Sequence, residues 1–177
     1  MSNEIQFDKI QFNDLQIMLD KEYPNCFLYL KSKIMEVFVE LKKIGNKYFI
    51  RIDPGEEIVS SLNEFCIERS IKLGKISAIG AVDEAEIGIF DPFKKEYHSN
   101  TIKGTFEILS ITGNITSNRD QPFLHIHIML SDSEYNAFGG HLNKAVVSAT
   151  CEVIIEEFEG KLDRYYDENI RLNLLEL

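Results

Sequence analysis

The stretch "FLHIHIMLSDSEYNAFGGHL", residues 123–142, decides how the chain is read. Leu124, Ile126 and Ile128 alternate with His125 and His127, the period of a strand with one buried and one polar face. "SDSEYN" is a run of turn-forming residues and predicts a return of the chain beside that strand. Gly139-Gly140 predicts a sharp turn and a close backbone approach, because glycine tolerates positive φ, and His141 follows directly. Three of the chain's 4 histidines thus fall in one strand–turn–return unit.

On a strand, His125 and His127 sit roughly 6.6 Å apart. Both imidazoles can then tilt onto one cation at bond lengths of about 2.0–2.1 Å. His141 is the candidate third ligand. The chemistry is that of a divalent transition metal, zinc foremost with nickel or iron as alternatives, or of a small ligand. The plainer reading is polar residues on the wet face of a strand. Asp132 and Glu134 could add oxygen ligands, although loop carboxylates are usually solvated. His98, in "KEYHSN", has no partner pattern and reads as a surface or strand-edge residue. In "GTFEILSITGNI", Phe106 and Ile108 face one way and Glu107 the other, between apolar neighbours. Glu107 could orient a ligating histidine from behind, or form a structural pair with a Lys or Arg, which is the commoner role.

Around this unit the pattern is mostly period two. Val37, Val39 and Leu41 alternate, and "IGNKYFIRI" reads as a turn into a second strand. "KISAIGA", "AEIGIF", "KEYHSN", "TFEILSITGNI", "AVVSATCEVIIEEF" and "LNLLEL" read as further strands. "IDPGEEIVSSLNEFCIERS" carries a helix start, with Asp53 as N-cap, Pro54 at N1 and Glu56 reaching back. Ile58, Leu62 and Phe65 form its apolar face and Gly74 lies past its end. A short helix after Asn13 stops at Pro24. Residues 1–34 read as an extension packing on a main domain over 35–177, and the whole as an α+β, mainly antiparallel fold.

The 177 residues are 44% hydrophobic and 27% charged, suited to one domain with a sizeable core. Cys26, Cys66 and Cys151 are far apart, without metal-finger spacing, and predict reduced thiols in a cytoplasmic protein. Neither a secretory leader nor a membrane-spanning apolar run is predicted. The net charge of −10 argues against direct DNA binding, which ordinarily uses clustered Lys and Arg.

Four ordered blocks, "DPGEEIVSSLNEFCIERSIKLGKISAIGAV", "GTFEILSITGNI", "QPFLHIHIMLSD" and "FGGHLNKAVVSATCEVIIEEF", together resemble the plant and prokaryote conserved (PPC) domain. The resemblance covers about residues 36 to 177. It implies a sheet of about seven strands flanked by helices, assembled as a homotrimer, and a metal site at the HxH and GGH positions, here His125, His127 and His141. It also implies a DNA-associated regulatory role, which plant members perform with Arg-Gly-Arg-Pro AT-hook segments. This chain has no such segment, and Thr105 stands where the plant partner-binding segment has arginine. Two function classes follow: a homotrimeric metal- or small-ligand-binding protein, and a DNA-associated regulator acting directly or through partners. No nucleophile, committed general base or phosphate-binding loop specifies a reaction.

Overall fold

Long alternating runs become long strands when bulges absorb the bend. A computed structural model describes residues 40–177. Its elements are β1 (Glu40–Ile44), β2 (Lys47–Ile52), α1 (Ile58–Glu68), β3 (Gly74–Asp91), β4 (Glu96–Asn118), β5 (Gln121–Ser131), β6 (Ala137–Glu157), β7 (Arg164–Asp167) and β8 (Leu172–Leu175). The expected extension over 1–34, its helix after Asn13, and Cys26 lie outside the described residues. The main sheet runs β1-β2-β6-β3-β4-β5, and β6 pairs β5 as well, so β3, β4, β5 and β6 form a closed ring of antiparallel pairs. β7 and β8 make a separate two-stranded sheet.

The α+β, mainly antiparallel expectation holds, with eight strands rather than about seven and one helix among the described residues. The segments read as separate strands at "KISAIGA" and "AEIGIF" are one 18-residue strand, and "KEYHSN" and "TFEILSITGNI" are one of 23 residues. Register shifts between Ala78 and Gly80 and between Val82 and Glu84 explain the apparent break: they bend β3 without ending its pairing with β4.

Inside the ring lie the apolar halves of the alternation, including Ile111, Ile115, Ile126, Ile128 and Leu130, all buried. α1 covers β5 and β6 with Ile58, Leu62, Phe65 and Cys66. Its N-cap is Glu57, not Asp53: the Glu57 carboxylate accepts from the backbone N–H groups of Val59 (2.9 Å), Ser60 (2.7 Å) and, on β6, Ala145 (3.0 Å). Gly55, at φ +88, is the reason, since a left-handed residue cannot belong to the first helical turn. Glu56 does reach back to the Asp53 N–H (3.1 Å), but within the turn that precedes the helix. Ser70, at φ 54, ends the helix ahead of Gly74; the Ile71 N–H reaches Cys66 O at 2.9 Å and the Ser70 N–H reaches Ile67 O at 3.1 Å, a Schellman stop.

Gly139-Gly140 is not a turn. Both residues lie within β6, opposite Met129 and Ile128 of β5, and the chain reverses earlier, at residues 132–136. The two glycines serve close approach alone. A Cβ on Gly139 would overlap the Ile128 carbonyl oxygen, and one on Gly140 would lie 2.6 Å from Gly88 O. The reversal is built by Asp132, whose carboxylate accepts from the N–H groups of Glu134 and Asn136, both at 2.9 Å. A Gly139→Ala variant should therefore push β5 from β6 and lower stability by about 1–3 kcal/mol. At about 2–4 °C of Tm per kcal/mol this is readable in a thermal melt, and an unchanged Tm would count against the close-approach role.

Candidate metal centre

β5 sends His125 and His127 outward on the face opposite Ile126 and Ile128. β6 places His141 as the direct cross-strand partner of His127. The strand pairing thus assembles the three residues expected from the HxH and GGH patterns. The ring centroids are 5.2 Å apart for His125 and His127, 5.3 Å for His125 and His141, and 5.5 Å for His127 and His141. One nitrogen from each ring lies within 4.8 Å of the other two. A tetrahedral ion with bonds of about 2.0–2.1 Å needs donors about 3.3 Å apart. From 4.8 Å the donors have at most about 1.5 Å to close. Three neutral nitrogen donors with no acidic residue among them fit a borderline-soft divalent ion better than calcium or magnesium.

The electrostatics suit ligation. Burial first, and then His141, Arg164 and His127, push the His125 imidazole down from 6.5 to about 4. Burial and then His127 lower that of His141 too. Both rings are therefore held neutral at neutral pH, the state a metal ligand requires.

The other expected residues go elsewhere. Glu107 is exposed on β4, five positions from Thr112, the cross-strand partner of His127, or roughly 15 Å along the strand. Phe106 and Ile108 are buried beside it, as the alternation predicts. Asp132 is occupied by the turn, and Asn136 and Glu134 N–H groups hold its carboxyl below the usual range. Glu134 is exposed in the same turn, and His98 is exposed with its Nε2 3.6 Å from Glu96.

Several residues around the histidines were not singled out from sequence. Tyr97 of β4 stands edge-on to His141 at 6.1 Å, its hydroxyl donating to Asn143 Oδ1 at 2.8 Å. Asn114 is the cross-strand partner of His125. Arg164 of β7 reaches over the same face. The polar alternation Thr112, Asn114, Thr116 signalled a functional face on β4, but no local pattern signals Arg164. Together these residues and the β7–β8 hairpin enclose a cleft of about 910 Å³ above the histidines.

A fold with this ring of strands and this histidine cluster defines a class. The sequence profile of the Plants and Prokaryotes Conserved (PCC) domain matches residues 40–159, and the chain belongs to that family, the same one its motifs resemble. Among solved structures, a candidate DNA-binding protein of Bacteroides thetaiotaomicron is 38% identical with a TM-score of 0.77, covering 78% of this chain and 97% of its own. A metal-containing protein from Archaeoglobus fulgidus is 37% identical with a TM-score of 0.71, covering 78% and 98%. A plant- and prokaryote-conserved protein of Pyrococcus horikoshii is 31% identical with a TM-score of 0.69, covering 78% and 94%. The chain also matches the bifunctional protein GlmU of a Synechococcus strain at 24% identity, over 68% of this chain but only 18% of that protein's length.

The lowered His125 pKa has a direct consequence in metal-free protein. The unfolded chain protonates this group near pH 6.5, the folded one only near 4. The unfolded state binds more protons in that window, so the contribution is fully present above pH 6.5 and is lost as pH falls toward 4. Urea midpoints of chelator-treated protein should decline across this range, and less steeply for His125→Ala. Equal slopes would show that the imidazole is not held neutral by the fold.

Proposed function

We propose that the protein is a metal-binding member of its family in which His125, His127 and His141 hold one divalent transition metal, zinc foremost, within a homotrimer. The observation that carries this reading is the convergence of three imidazole nitrogens within 4.8 Å from two paired strands. The Archaeoglobus relative, 37% identical and metal-containing, supports it. When bound, such an ion supplies a Lewis-acidic position with room for a ligand, because three protein donors leave a tetrahedral site incomplete. The free, buried thiols of Cys66 and Cys151 support a reducing, cytoplasmic setting. No helix among the described residues is long and apolar enough to cross a membrane.

The test is metal content per chain. Wild type should carry about one ion and His127→Ala close to none, with the variant still folded because His127 is exposed on the sheet face. An ion present at a hundred times its Kd should stabilise wild type by about 2.7 kcal/mol and the variant not at all. Wild type that is metal-free, and gains no thermal stability from added zinc, nickel or iron, would reduce the cluster to polar surface.

Self-assembly is supported by an apolar strip on the outer face. Phe49 (38% exposed) faces Ile154 (38%) across the β2–β6 pairing, and Ile79 (58%), Leu109 (50%) and Met129 (45%) continue it over β3, β4 and β5. Contiguous exposed apolar surface of this kind marks association sites. Sedimentation should report three chains per particle, and Ile79→Glu should shift the population to monomer with the fold intact. A wild-type monomer at micromolar concentration would overturn the assembly.

A DNA-associated regulator is the second reading, favoured by the description of the Bacteroides relative and opposed by a net charge of −10. Gel-shift titrations at two salt concentrations should show weak or no direct binding, whereas tight binding that falls steeply with salt would reverse the preference.

A further inference from the structure

The cleft above the histidines has an unusual charge balance. The chain is acidic, at a net −10, yet among the described residues no Asp or Glu lines this cleft. Two arginines do, Arg164 and Arg171. Arg164 is half-buried and makes three hydrogen bonds, each to a neutral acceptor. Its Nε donates to Thr116 Oγ1, one Nη to Asn173 O and the other to Asn114 Oδ1, all at 2.8 Å. Its guanidinium also lies 4.7 Å from the centre of the Phe123 ring. Three of five N–H donors are thus used, which leaves two. Among the described residues no carboxylate lies within ion-pair distance of it, although the chain pairs many of its exposed cations with acids.

Such a charge is costly to bury unless something compensates it. The neighbours fix the guanidinium plane without neutralising it, as a binding residue requires. Its position is set by the sheet. Thr116, Asn114 and Thr112 pair with Phe123, His125 and His127, so Arg164 stands over the rungs next to the histidines. The hairpin that carries it is joined to β4 where it begins, the Ser117 N–H donating to Leu162 O at 2.8 Å, and its own base is closed by the Glu176 N–H donating to Asp163 O at 3.0 Å. Leu172 and Leu174 of β8, with Ile89 and Phe90 of β3, supply apolar wall. Arg164 lies beyond residues 40–159 matched by the family profile.

We propose that this cleft binds a small organic carboxylate, whose head is received by the Arg164 guanidinium and whose apolar body lies against the β7–β8 hairpin. The planar two-oxygen head matches the guanidinium fork. A phosphate, with more charge, calls for more than one enclosed cation, and Arg171 is exposed at the rim. A cleft of about 910 Å³ with mostly apolar walls accommodates a body of several carbons. The proposal rests on the reading of this cleft as a ligand site and adds the class of ligand.

Hexanoate is a suitable probe, with hexanol as its neutral analogue and inorganic phosphate as the competing anion. Binding is measured by calorimetry on the full chain, both metal-loaded and chelator-treated. Hexanoate should bind wild type, and Arg164→Gln should weaken it by about tenfold or more, because a hydrogen-bonded charge is lost. Metal content should stay at the wild-type level in that variant. Leu172→Glu, which adds a negative charge to the wall and leaves every Arg164 hydrogen bond in place, should weaken hexanoate as well, and this holds even if Arg164→Gln fails to fold. Hexanol binding as tightly as hexanoate, phosphate competing equally well, or hexanoate indifferent to both substitutions would each overturn the proposal. The metal reading is judged separately. Metal-loaded wild type that ignores hexanoate sinks the carboxylate site alone, and metal-free wild type that binds hexanoate through Arg164 sinks the metal alone.

Discussion

The antiparallel contact of residues 127–131 with 137–141 is the constraint on which the rest depends. It closes the ring of β3, β4, β5 and β6, and closure removes two edges that would otherwise expose unpaired backbone groups. The same contact buries Ile128 and Leu130 inward and sets His127 against His141 outward. Packing and site are therefore two faces of one register. Because side chains alternate with a period of two, a slip of one residue would turn the histidines into the core and the isoleucines into water.

That contact is tight because of its glycines. Gly139 and Gly140 let β6 lie against the backbone of both β5 and β3 at the point where His141 pairs with both strands. At Gly88, the β3 partner of His141, the space a Cβ would take is filled instead by the Tyr97 side chain. Glycine here works through what it omits. The backbone at Gly139 and Gly140 is ordinary extended strand.

Electrostatics follow from this placement. Crowding and burial keep His125 and His141 uncharged, and Arg164 adds to the pressure on His125. Among the described residues the carboxylates lie elsewhere, some in surface pairs such as Lys103 with Glu84 and Lys161 with Asp120. Pairs of that kind contribute little to stability individually. Among the described residues, the ionisable lining of the cleft above the histidines is basic or neutral, in a protein that is acidic as a whole.

The residues alone determined the alternation. His125 and His127 share a face, Ile126 and Ile128 go inside, Phe106 and Ile108 are buried while Glu107 is not, and α1 buries Ile58, Leu62 and Phe65. These are local consequences of a two-residue or 3.6-residue period, and a period is written in the chain itself. Motif order likewise pointed to the family. Only the tertiary structure decided that Gly139-Gly140 runs straight rather than turning, since the signal for glycine is the same whether the need is positive φ or the nearness of another strand. It moved the helix cap from Asp53 to Glu57, whose second role, accepting from Ala145 on β6, joins residues far apart in sequence. And it brought Arg164 over His125, because where a hairpin near the end of the chain docks depends on Asn114, Thr116 and Asn173 all being in place to receive it.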